Sequence, residues 1–134
     1  MVATVCSWHE HHARAVEAVE QRLSRGEEMI VAAPALVEAY AVLTRLPPPH
    51  RLSATDALAL LEGNFMHTLK IVALDGKSYR TLLRQAPQDA IAGGRTYDAV
   101  LAACALQAKA AALLTFNERH FLPFVAKGIH VVVP

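Results

Sequence analysis

Three polar side chains, far apart along the chain, stand in segments otherwise built for burial. Glu38 is the only acid between Glu28 and Asp56, and Val37 and Ala39 flank it. Asp98 sits at the mouth of a nearly all-apolar stretch, and Asn117 follows the apolar run "AALLT". Two carboxylates and an amide are hard oxygen donors of the kind that Mg²⁺ or Mn²⁺ accepts, with water completing the shell. Two carboxylates brought together without a cation repel, so that one must take a proton or resist ionisation. A divalent ion removes the conflict, and it can activate water and steady charge on a phosphodiester. In outline the set describes phosphodiester hydrolysis. Each residue also has a plainer reading. Glu38 fits a solvent-facing helix position near Arg45, Asp98 a first-turn carboxylate favoured by the helix dipole by about 0.5 kcal/mol, and Asn117 a turn.

The elements that must position these groups follow from periodicity. A helix is expected from Trp8 to Ser24, with Ala15, Val16, Val19 and Leu23 on one face and Gly26 as a stop. "MIVAA", 29 to 33, reads as a short buried strand. Pro34 suits the first turn of the next helix, which the prolines at 47 to 49 end. Ser53 with Asp56 resembles a helix start for "SATDALALLEGNFM", followed by a strand at 70 to 74. A fourth helix covers about 76 to 86 and a fifth about 95 to 109. Strands are expected at "AALLT" and "IHVVV". Short apolar strands alternating with helices argue for an α/β fold with a parallel sheet covered on both faces. In such a sheet, helix N-termini and strand C-termini gather at one edge, where ligands usually sit. Glu38, Asp98 and Asn117 all meet that condition.

Composition narrows the setting. A chain of 134 residues with 54% hydrophobic content fits one compact domain. Thirteen basic against twelve acidic residues give a net charge of +1, which excludes the bulk positive field of a polybasic binder. Any nucleic-acid contact must be local. Cys6 and Cys104 have no metal-type spacing and no leader precedes them, so a reduced cytoplasm is the expected location. Apolar stretches of about eight residues fall well short of the ~20 that a membrane span needs.

Several other residues have more than one reading. His9, His11 and His12 lack the i, i+4 pair of zinc proteases and read as surface or helix-start histidines. Arg95, Arg119 and His120 flank the predicted pocket and suit RNA phosphates, or alternatively capping and pairing with Glu118 and nearby carbonyls. Tyr97 is expected to be partly buried packing rather than a base-stacking ring. Trp8, Phe65, Phe116, Phe121 and Phe124 read as core or interface. Helices 8 to 24 and 53 to 66 carry enough apolar residues to form a groove for a partner helix, though burial in their own core explains the same pattern.

Taken together, "GGRTYDAVLAACAL" and "LLTFNERHF" resemble the C-terminal signature of PIN-domain ribonucleases, specifically VapC-type toxins of toxin-antitoxin pairs. "WHEHHARAVEAVEQRL" is similar to that family's first long helix, "VAAPALVEAYAVLTRL" to its second acidic motif and "IHVVVP" to its last strand. The resemblance implies a PIN-like three-layer sandwich and a Mg²⁺- or Mn²⁺-dependent endoribonuclease that acts on RNA. It also implies a homodimer or higher assembly and neutralisation by a cognate antitoxin. The family's second acid falls on Glu38, its third on Asp98 and its fourth polar position on Asn117. Thr115, at the strand end, would hold a water or a backbone contact. A second reading is a catalytically inactive PIN-like interaction module that binds an antitoxin or itself.

One departure stands out. The family opens with a short apolar strand ending in Asp-Thr or Asp-Ser, whereas this chain starts at "MVATVCSWHE", which is similar to the segment just after that motif. The expectation is a single PIN-like domain over 1 to 134 that lacks the first strand and first catalytic Asp, with Met1 an internal Met of a longer native chain. In the family that strand lies at the sheet centre, so "MIVAA" and "AALLT" are expected to lack a common neighbour. Unpaired buried backbone groups cost about 1 to 3 kcal/mol each. Weak metal binding and little cleavage are expected if 1 to 134 is the whole molecule.

Overall fold

The computed structural model describes residues 1–134, which form two compact units, Met1–Ile71 and Val72–Pro134. Short strands alternate with helices in an α/β pattern. The four strands form two two-stranded sheets that share no strand.

The first unit opens with a single helical turn, α1 (Val2–Val5), and continues with α2 (His12–Ser24). The helix expected from Trp8 starts only at His12, because residues 6 to 11 are spent on turns. The His9 amide bonds the Cys6 carbonyl, the His12 amide bonds the His9 carbonyl, and the His11 amide donates to His9 Nδ1. The strand β1 (Ile30–Ala32) leads directly into α3 (Ala33–Arg45), with Pro34 in its first turn, where a missing N–H costs nothing. Leu36, Ala39 and Leu43 recur along one face of α3 and are buried, which is the amphipathic spacing seen in the sequence. Ser53 caps α4 (Ala54–Leu61), its hydroxyl accepting from the Asp56 amide at 3.1 Å. A π-helical turn at Glu62–Met66 extends that helix, and β2 (Lys70–Val72) pairs with β1. The core of this unit gathers Cys6, Val31, Leu36, Ala39, Leu43, Ala57, Leu61 and Phe65.

In the second unit Asp75 caps α5 (Gly76–Gln85). Its carboxylate accepts from the Ser78 amide at 2.7 Å, and that bond holds its carboxyl below the usual carboxylate range. The helix α6 (Arg95–Gln107) is followed by β3 (Ala112–Leu114), α7 (Glu118–Val125) and β4 (His130–Val132). Strands β3 and β4 are parallel, with Ala112 opposite His130, Leu113 opposite Val131 and Leu114 opposite Val132. Ala99 and Ala102 of α6 pack with Phe121 and Phe124 of α7 and with Ile129 in a second core. Alanines on that face of α6 leave room for the two rings of α7. Each unit buries one free cysteine, Cys6 in the first and Cys104 in the second, and burial pushes both thiols up in pKa.

Two helices end in the same way with different residues. After α2, the Gly26 amide bonds Leu23 O at 2.9 Å and the Glu27 amide bonds Arg22 O at 3.1 Å. After α6, the Lys109 amide bonds Leu106 O at 3.0 Å and the Ala110 amide bonds Ala105 O at 2.9 Å. Both are Schellman caps, which put one residue in the left-handed region. Gly26 occupies it at φ 75° without strain, whereas Lys109 occupies it at φ 56° with a Cβ. That cap stops α6 at Gln107, two residues short of the sequence expectation. Lys109→Gly is therefore expected to raise stability by about 1 kcal/mol, read as a higher denaturant midpoint.

Candidate active site

The groups singled out by the sequence at 95, 98, 115, 117 and 119 all belong to the second unit. Asp98 lies in the first turn of α6, where a carboxylate is favoured by the helix dipole. The β3–β4 pairing extends one residue past the strand, the Thr115 amide bonding Val132 O at 3.0 Å. Thr115 Oγ1 then accepts from the Asn117 amide at 3.0 Å, which turns the chain out of the sheet. Asn117 stands at the N-cap of α7, but its side chain makes no capping bond. Its amide group is exposed and available.

One close contact organises this region. Asp98 Oδ2 is 3.0 Å from His120 Nδ1, and the two side chains are 20% and 35% exposed. Its origin lies in the packing below. Ala99 and Phe121 are both buried in the second core, and Asp98 and His120 each precede one of them, at the rim of that core. An ionised carboxylate only accepts hydrogen bonds, so Nδ1 is the donor in this contact. Nothing in the linear sequence pairs two residues 22 positions apart. The usable signal was their shared place, one residue ahead of a core position on adjacent helices, and reading it requires α7, which the sequence did not suggest.

The remaining residues are less constrained. Arg95 is exposed and approaches the Ala90 carbonyl at 3.5 Å, too long for a firm bond. Arg119 is exposed on α7 with no hydrogen bond or ion pair, so its guanidinium can meet a phosphate. Tyr97 corrects an expectation. Instead of packing partly buried, the residue is 73% exposed, because Ala99 and Ala102 take the core-facing positions of α6.

Glu38 lies in the first unit, on α3, exposed and without a hydrogen bond or an ion pair to Arg45. Of the histidines, His12 Nδ1 meets the Ala3 carbonyl at 2.9 Å, and Trp8 stacks on His50 with ring centroids 4.1 Å apart. The first unit also holds a cleft of about 270 Å³ lined by Val5, Cys6, Ser7, Trp8, Leu52, Asp56 and Leu60. No helix is long and apolar enough to cross a membrane.

The donors fit a hard divalent ion better than a soft one. Asp98 and Asn117 offer oxygen, and no three His, Cys, Asp or Glu side chains cluster tightly enough to hold a metal by themselves. Mg²⁺ keeps several waters and is commonly bound through one or two carboxylates, so a donor set of this kind could hold it.

A family model described as the PIN domain matches residues 1–124. The chain belongs to the PIN domain family and, within it, to the VapC type. It is 43% identical over 119 residues to Ribonuclease VapC40 of Mycobacterium tuberculosis, covering 89% of this chain and 82% of that protein. Over 99 residues it is 39% identical to Ribonuclease VapC27 of the same organism, covering 74% of this chain and 69% of that protein. A solved structure described as VapBC2 from Rickettsia felis bound to a DNA fragment from their promoter matches with a TM-score of 0.62. At 17% identity, with 99% of this chain and 92% of that chain covered, it shares the fold.

Proposed function

We propose that this protein is an endoribonuclease dependent on Mg²⁺ or Mn²⁺, with RNA as substrate and a cognate antitoxin as its neutralising partner. The observation that carries the proposal is Asp98, a partly buried carboxylate at the start of α6, paired with His120 and close in sequence to no basic side chain but Arg95. Likeness to two proteins named ribonucleases supports the reaction class. Cleavage is assigned to depend on Asp98 and Asn117 in the second unit and on Glu38 in the first. A divalent ion bound beside Asp98 would lower the pKa of a bound water and stabilise charge on the scissile phosphate. Asp98 and Asn117 would hold that ion, while Arg95 and Arg119 would steady the RNA backbone as phosphate contacts and Thr115 would keep the Asn117 loop in shape. The apolar cleft beside Trp8 is a candidate seat for a segment of the antitoxin, and assembly as a homodimer or larger belongs to the same reading.

The experiment is a cleavage assay on labelled single-stranded RNA with the purified protein. Product is expected with Mg²⁺ or Mn²⁺ and is lost with EDTA. Equal cleavage in EDTA would remove the metal from the proposal, and no cleavage under any metal condition would remove the reaction.

A further inference from the structure

Asp98 receives a hydrogen bond on one oxygen only. His120 Nδ1 holds Oδ2 at 3.0 Å, and no Lys or Arg pairs with the carboxylate. Both ends of this contact are mounted on fixed backbone. Ala99, beside Asp98, and Phe121, beside His120, are buried in the same core, and the His120 amide bonds the Asn117 carbonyl at 3.0 Å.

We propose that His120 is a positioning residue: its Nδ1–H fixes Oδ2 of Asp98 so that Oδ1 is presented to a divalent cation. This rests on the reading of Asp98 as a metal-binding carboxylate. The physical case has two parts. An unrestrained Asp side chain populates several χ1 wells and a broad χ2, and ordering it on binding costs free energy. A hydrogen bond already made in the free protein removes that cost in advance. The donor type also matters. Lys or Arg in this place would orient the carboxylate but neutralise it and repel an incoming cation. An imidazole can donate from Nδ1 without carrying a charge. Hydrogen bonds of this kind behind a metal ligand are commonly worth 10- to 100-fold in metal affinity.

The test is Mn²⁺ binding to the full chain by isothermal titration calorimetry, which needs no substrate, with a thermal melt of every variant to confirm folding. Asp98→Asn is expected to lose binding. His120→Ala is expected to weaken it about 10- to 100-fold. His120→Asn, whose side-chain amide can donate from nearly the Nδ1 position, is expected to restore most of that loss. In the Asp98→Asn background, His120→Ala should change nothing further. Wild-type affinity in His120→Ala together with loss in Asp98→Asn overturns the positioning role and leaves the metal reading standing. Equal loss in the Ala and Asn variants of His120 overturns positioning through this hydrogen bond. Unchanged binding in Asp98→Asn, or no saturable binding by the unaltered chain, overturns both.

Discussion

Asp98→Asn is expected to slow RNA cleavage by about a hundredfold or more while the protein stays folded. A metal ion on a reacting phosphodiester contributes several kcal/mol of charge stabilisation, and each 1.36 kcal/mol is tenfold in rate, so losing about 3 kcal/mol gives that factor. The substitution keeps the shape of the side chain. Its amide oxygen can still accept from His120 Nδ1, and the pair is partly exposed, at 20% and 35% for the two side chains. Such pairs contribute about 0 to 1 kcal/mol to stability. Rate and stability should therefore separate: cleavage followed on a gel falls steeply, while the melting curve barely moves. A variant that melts normally and cleaves at the wild-type rate would show that Asp98 is only a helix-start carboxylate. Repeating the measurement with Glu38→Gln asks the same question of the first unit, where Glu38 is exposed and unpaired, so any loss of activity cannot come from a broken contact.

Leu43→Ala is expected to have the largest effect on stability. Leu43 is 0% exposed, the most enclosed large side chain of the first core, with Leu36, Ala39, Ala57 and Leu61 in the same cluster. Its carbonyl also receives the Leu52 amide at 3.1 Å, which ties the segment after the prolines back to α3. Truncation removes apolar contacts and leaves a cavity, at a cost of about 2 to 5 kcal/mol. Against a typical total of about 5 to 15 kcal/mol, that is a large fraction. Urea unfolding should show a lower midpoint. Leu23→Ala, at a position half exposed on α2, is the control and should shift it little. Equal shifts for the two would mean that the first core is not closely packed around Leu43.

The helical faces were legible because burial repeats at helical spacing. The face of α3 through Leu36, Ala39 and Leu43, the Ser53 cap and the Gly26 stop all follow from residue type and order. What escaped depended on local geometry or on distance along the chain. The helix α7 has eight residues and carries Pro123 inside it, which reads as a breaker in any single-sequence pattern. The end of α6 was misplaced because a lysine, not a glycine, adopts the left-handed cap. The single turn α1 has no periodicity long enough to detect. Within the candidate site, Asp98 and Asn117 were visible as polar residues in apolar surroundings. The partnership of Asp98 with His120 was not visible, because it exists only once two helices pack through Ala99 and Phe121. Tyr97 failed for a related reason: its neighbours gave no indication of which face of α6 the core would choose.

The two enclosed thiols give the chain an internal set of reporters. Cys6 and Cys104 belong to different units, and each is almost fully screened from solvent. Burial also suppresses the thiolate, the form that alkylating reagents attack. Reaction with iodoacetamide therefore requires the surrounding structure to open first, and peptide mass analysis assigns each modification to one sulfur. A chain that opens all at once would label both at one rate, whereas independent breathing of the two halves would label them at different rates, with no mutation introduced.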